Sequence, residues 1–262
     1  MERSPARRHF LKSVTALTAA GLPAAGVAAD AHSEHRPQGV QANSGARPST
    51  RLEAYSYFTQ PEAAFVEAAL SRLIPDDELG PGAKEAGVAY FIDQQLASAW
   101  GAHARNYRLG PWPEGTPTQG YQSPLAPHEV YRIAIAETQS YCRLNHGKTF
   151  EALAAAQQDG VLRDLQEGRI TLELVPARLF FGLLWANTQE GFFADPMYGG
   201  NRDKIGWKLV GFPGVAAAYT DFVEKHNEPY RAVPVSIPDV QQGLARLDEH
   251  GHPVHVLLGK ID

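Results

Sequence analysis

Thr59–Pro75, TQPEAAFVEAALSRLIP, is the stretch from which the fold reads outward. Thr59 offers a hydroxyl N-cap. Glu62 stands three positions on, where its carboxylate can reach back to the cap's amide, and Pro61 is tolerated in a first turn whose N–H groups lack helical partners anyway. Phe65, Val66, Ala69, Leu70, Leu73 and Ile74 then recur at helical spacing until Pro75 stops the run. The same reading continues downstream. A second helix is expected over Pro81–Trp100, with Val88, Phe91, Ile92 and Leu96 on one face. Residues 101–126, rich in Gly and Pro, read as an irregular excursion. A third helix is expected from about Pro127 to Leu144. A fourth starts near Thr149 and breaks at Gly160, with Val161–Glu167 as one further short turn of helix. Pro176 opens a long apolar helix through Phe180, Phe181, Leu184 and Trp185 to about Phe193.

Beyond Phe193 the pattern changes. Asp195–Gly214 is dense in Gly, Pro and aromatic residues, and a shorter helix is expected over Val215–His226. From Val233 the chain reads as extended, with Leu244–Leu258 as a hairpin turning at His250-Gly251. The fold class is therefore mainly α: a single helical domain, residues 52–262, with an irregular Gly/Pro/aromatic-rich segment and an extended or hairpin C-terminal tail.

Ahead of the domain stands Arg7-Arg8-His9-Phe10-Leu11-Lys12, followed by a weakly apolar stretch, Ser13–Ala29. Two adjacent arginines before Phe10, Leu11 and Lys12, then small residues at Val27–Ala31 that suit a signal peptidase, read as a twin-arginine (Tat) export signal over residues 1–29. Gly21, Pro23 and Gly26 interrupt the apolar stretch, which falls short of the ~20 residues a membrane span needs. Residues 30–51 are polar and read as a flexible linker. The Tat pathway carries folded proteins out of the cytoplasm, so the expected location is the periplasm and the first partner is the Tat translocase.

Composition narrows the function. Residues 1–29 hold four of the 24 basic side chains and one of the 29 acidic ones, so the remainder carries a net charge of −8, which argues against a nucleic-acid partner. The single cysteine, Cys142, cannot form an internal disulfide, hold an iron–sulfur cluster or supply a c-type haem motif. It reads either as a small buried residue on a helix or as one half of an intersubunit disulfide.

Catalytic motifs are lacking. No glycine run suits a nucleotide, no Gly-x-Ser-x-Gly elbow is present, and Asp76 and Asp77, just past Pro75, read as a solvated loop. No catalytic or cofactor-binding residue is assigned. His250, His252 and His255 are weak metal candidates without an evident fourth ligand. The most specific internal run is Glu190–Asn201 with Trp207–Gly214. Asp195-Pro196 favours a turn, and Gly199-Gly200-Asn201 permits positive backbone angles. Phe192, Phe193, Tyr198, Trp207 and Phe212 project from this run, either as a plug for the protein's own helices or as a surface that docks another protein.

The leader, Leu73-Ile74-Pro75 followed by an acidic residue, and above all Thr188–Phe193 through Asp195-Pro196-Met197-Tyr198-Gly199-Gly200-Asn201 to Trp207 and Phe212-Pro213-Gly214 together resemble the gluconate 2-dehydrogenase subunit 3 family over roughly residues 55–220. The resemblance implies a small, non-catalytic accessory subunit of a membrane-associated sugar or sugar-acid dehydrogenase. Its partners would be a flavoprotein large subunit of the glucose–methanol–choline (GMC) type that holds FAD, and a multihaem cytochrome c. The flavoprotein would travel through the Tat pathway on this subunit's signal, and the chain would sit at the membrane only through the complex. Phe192, Phe193, Tyr198, Gly199, Gly200, Asn201, Trp207 and Phe212 are then the expected partner interface. Two rivals stand beside this reading: a stand-alone periplasmic metal- or ligand-binding protein using the C-terminal histidines, and a cytochrome-docking subunit without a role in export.

Overall fold

Helices account for about half of the described residues, and none of those residues lies in a strand. The computed structural model describes residues 54–256 except 114, 117, 118, 120, 121, 216–222, 228, 229, 231 and 255. Among the described residues seven α-helices run in the order α1 Gln60–Leu73, α2 Val88–Ala97, α3 Pro127–His146, α4 Ala155–Glu167, α5 Ala177–Phe193, α6 Ile205–Val210 and α7 Ile237–Gln241. Short 3₁₀ turns lie at Phe150–Ala152, Pro196–Tyr198 and Arg202–Lys204. Among the described residues no helix is long and apolar enough to cross a membrane.

α1 forms as its sequence dictates: the Glu62 carboxylate accepts from both the amide and the hydroxyl of Thr59 at 2.8 Å, closing the N-terminal turn. α3 repeats half the device, with Glu129 accepting from the Ala126 amide at 2.7 Å. The long apolar helix α5 is the hub. It packs against α1, α2, α3 and α4, which explains why its sequence is apolar nearly all round. At its inner face Phe180 meets Tyr131 edge-on at 5.6 Å and Phe65 at 6.2 Å, and Phe65 meets Phe150 at 4.7 Å. All four rings are fully buried, and each such burial contributes about 1.5–3 kcal/mol. The Tyr131 hydroxyl finds its partner in Asn187 Oδ1 at 2.9 Å, and burial keeps it protonated far beyond ordinary phenol range.

Just ahead of α1 the chain is clamped to α2. Asp93 is fully buried and accepts the backbone amides of Ser56 (2.7 Å), Tyr57 (2.9 Å) and Phe58 (2.8 Å). A buried carboxylate is tolerable only with such a set of donors.

Several boundaries differ from the sequence reading. Pro81–Gly87 is turns, and helix α2 starts only at Val88: Gly82 lies where a Cβ would collide with the Ile74 carbonyl, and Gly87 takes a left-handed φ of 75°. Gly160 does not break α4. The interruption falls earlier, at extended Leu153 and Ala154, between the 3₁₀ turn and α4. There Gln139 Oε1 takes the Phe150 amide, Gln158 Nε2 binds the Phe150 carbonyl and Gln157 Oε1 takes the Ala154 amide, so side chains satisfy the backbone groups at the break. The tail beyond Val233 holds a helix, α7, whose Ser236 N-cap shares its hydrogen bonds with Asp239. Leu247–Pro253 does reverse direction, through a single antiparallel bridge. The helix expected over Val215–His226 lies largely outside the described residues.

Candidate functional site

The polypeptide leaves α5 at Ala194 and enters a segment that follows polar rules. Asp195 caps the Pro196–Tyr198 turn by accepting from the Met197 amide at 2.9 Å. Its second oxygen accepts from the Ile237 amide at 2.9 Å, tying the turn to α7. Gly200 and Gly206 then press against the end of α5, where a Cβ would strike the carbonyl oxygens of Gly191 and Phe192 respectively. No side chain beyond hydrogen fits at either position.

Between these glycines Asn201, Asp203 and Lys204 hold φ values of 46°, 54° and 58°. Three non-glycine residues in the left-handed region within four positions cost roughly 1–2 kcal/mol each. The neighbourhood supplies the compensation. Asn201 is fully buried, donates to the Ala194 carbonyl at 2.8 Å and accepts from the Gly206 amide at 2.8 Å. The Arg202 amide reaches the Ala86 carbonyl ahead of α2 at 2.9 Å. Lys204 meets Asp239 on α7 at 2.8 Å, both side chains about one-fifth exposed. Burial would by itself raise the Asp239 carboxyl, but the bonds from Lys204 and Ser236 outweigh it and hold the group below the ordinary carboxylate range.

This scaffold divides the aromatic set. Phe192 and Trp207 are turned inward, 1% and 5% exposed, and the Trp207 indole donates to the Phe193 carbonyl at 2.7 Å. Gly200 and Asn201 are likewise internal. Phe193, Met197, Tyr198 and Phe212 face outward at 40–53% exposed, joined by Leu209 and Val210 of α6. Gly199, with φ of 93°, lies half-buried between the two sets. Phe212 stacks edge-on to Trp207 at 5.1 Å, and Phe193 to Phe192 at 5.1 Å, so these two outward rings each rest on an inward one.

The span that builds this scaffold also carries a family signature. The model of the family described as gluconate 2-dehydrogenase subunit 3 matches residues 60–214, from the first residue of α1 to the glycine that closes the segment. This chain belongs to the gluconate 2-dehydrogenase subunit 3 family. No curated protein and no solved structure matches it. The subunit 3 match covers all of α1–α6 and stops short of α7 and the tail.

The other candidates are placed as follows. Cys142 is fully buried on α3, and burial pushes its thiol up to about 11. It cannot reach another chain's thiol from there without opening the fold. His250 and His252 stand 6.2 Å apart between ring centres, and each lies beside a carboxylate, Glu249 at 3.5 Å and Asp248 at 3.4 Å. His255 lies outside the described residues, as do Arg7, Arg8, Phe10, Leu11 and Lys12 and the whole of the linker. Among the described residues no group of three or more His, Cys, Asp or Glu is placed to hold a metal. The outward roles of Met197, Leu209 and Val210 escaped the sequence reading, as did the strap from α7. Ser236 with Asp239 three residues on is the same capping signature that marks α1, and it was the signal available for that strap.

Proposed function

We propose that this chain is the small accessory subunit of a flavin-dependent sugar or sugar-acid dehydrogenase complex. It grips the flavoprotein of the complex, stabilises it, and carries it to the periplasm on its own twin-arginine leader. The redox groups, FAD and haem c, belong to the flavoprotein and a multihaem cytochrome c, and the substrate is oxidised in the flavoprotein. The observation that supports this reading best is the family match over residues 60–214 together with the split of the aromatic segment. Outward apolar groups ride on a scaffold locked by glycine contacts and by Asn201, which suits a pre-organised docking surface.

Co-expression with a GMC-type flavoprotein subunit tests it. The two should co-purify, and the purified chain alone should show no flavin absorbance and no stoichiometric metal. Replacing Arg7 and Arg8 together by Lys should leave both subunits in the cytoplasm. A flavoprotein that still reaches the periplasm, or a lone chain that oxidises a sugar, overturns the proposal.

A further inference from the structure

Pro75–Pro81, between α1 and α2, faces α6 across a cleft of about 550 Å³. Ile74, Phe192 and Ile205 make its apolar interior, Leu79 and Leu209 stand at its mouth, and Asp77, Asp203 and Lys208 complete the rim. The volume falls in the usual range for a filled binding site, roughly 300–1,000 Å³. The mouth is unusual. Leu79 is 77% exposed and Leu209 45%, so two large apolar groups lie in water beside an apolar hollow. A small molecule filling the hollow would leave these lips wet, whereas a polypeptide segment laid across them would cover both and insert a side chain between them.

Charge narrows the occupant. Asp77, the middle residue of the exposed acidic run Asp76–Glu78, stands on one lip, Asp203 stands on the other, and Lys208 is the one cation among the lining residues. No ion pair engages Asp76, Glu78, Asp203 or Lys208 among the described residues. An acidic mouth over an apolar floor complements an apolar anchor flanked by basic side chains. The cleft is also where the two stretches bearing the family pattern meet: Ile74 and Pro75 belong to one wall, and Phe192 with α6 supplies the floor and the other. Through Leu209 it runs on to Val210 and Phe212 of the outward patch.

We infer that this cleft receives an apolar side chain of the flavoprotein subunit, carried on a segment with Lys or Arg beside it. The inference rests on the accessory-subunit reading and extends it from a surface to a specific socket.

The test uses the co-expressed complex of this chain with the flavoprotein subunit. Leu79→Glu with Leu209→Glu alters only exposed groups, so the free chain should keep its helical spectrum and unfolding midpoint. Its dissociation constant for the flavoprotein should rise about 30-fold or more, the loss of a central apolar anchor. Asp77→Lys with Asp203→Lys should weaken binding about tenfold at low salt and flatten the salt dependence. A photo-crosslinking p-benzoyl-phenylalanine at position 209 should capture a flavoprotein peptide with Lys or Arg within a few residues of an apolar one. Wild-type binding with unchanged affinity in the Leu79/Leu209 variant, or capture of an acidic peptide, overturns the socket and leaves the accessory-subunit reading standing. Failure of the wild-type chain to bind the flavoprotein at all removes both.

Discussion

In α1 through α5 the deciding side chains are apolar, and in residues 194–210 they are polar. Phe65, Phe150, Phe180 and Tyr131 meet one another in the body, while Asp195, Asn201 and Lys204 meet backbone or charge in the segment. The body's helices sit in ordinary backbone geometry. The segment carries three left-handed non-glycine residues and glycines jammed against α5. Apolar burial is forgiving of small shifts, whereas hydrogen bonds to fixed carbonyls are not. The body is thus a cooperative core, and the segment is a shaped rim attached to it by a few polar pins.

The hardest blow to this contrast is aimed at the body. Phe180→Ala should cost about 3–5 kcal/mol and lower the unfolding midpoint of every probe together. Asn201→Ala comes next, at about 2–4 kcal/mol, since it strands the Gly206 amide and the Ala194 carbonyl. Here the loss should be local: hydrogen exchange should speed up at Met197 and Gly206 while α1 and α3 keep their protection. Should α1 and α3 lose protection equally, rim and core are one unit and the contrast fails.

A smaller effect comes from Lys204 and Asp239, at about 1 kcal/mol. The Asp239 carboxyl is held below its ordinary value of 3.8 in the folded chain. Its contribution is therefore complete above pH 4–5 and fades as acid carries the pH below about 4. Lys204→Met should remove that part of the acid sensitivity of segment 194–210. Tyr198→Ala should change stability by less than about 0.5 kcal/mol while weakening association with the proposed flavoprotein partner. A large stability loss would move Tyr198 from the outward set to the inward one. The smallest effect at neutral pH is at Cys142. With the thiol raised to about 11, any stability it lends is intact below about pH 8.5 and declines as pH climbs towards 11. Ellman's reagent at pH 8 should label it only as fast as the chain opens; rapid labelling of the native chain would show it accessible and reopen its pairing with another subunit.

Where one local rule acts alone, the fold is legible in the residues. Thr59 with Glu62 and the spacing of Phe65–Leu73 predict α1 almost to its ends, and Pro176 and the apolar run predict α5. Where a tertiary contact overrides the local rule, legibility ends. Gly160 looks like a stop but causes none, because α4 is held by its packing on α5 and the true break is drawn by Gln139 and Gln158 reaching Phe150. The aromatic segment shows the same limit at the site. Composition marks its glycines and rings, but which ring turns inward depends on the Phe193 carbonyl that receives Trp207. The cleft joins residues more than a hundred positions apart in the chain, and no spacing rule announces it.

The clamp at Asp93 has a consequence for maturation. Its three backbone donors are Ser56, Tyr57 and Phe58, so processing of the proposed leader at any bond upstream of Tyr55 leaves all three hydrogen bonds to that carboxylate in place. Trimming that ran past Phe58 would remove all three backbone donors and leave the carboxyl with the Gln94 amide alone among its described partners, at a cost of roughly 1–3 kcal/mol for each lost bond. The body thus has a defined proximal limit, and a heterogeneous amino terminus is compatible with one uniform fold.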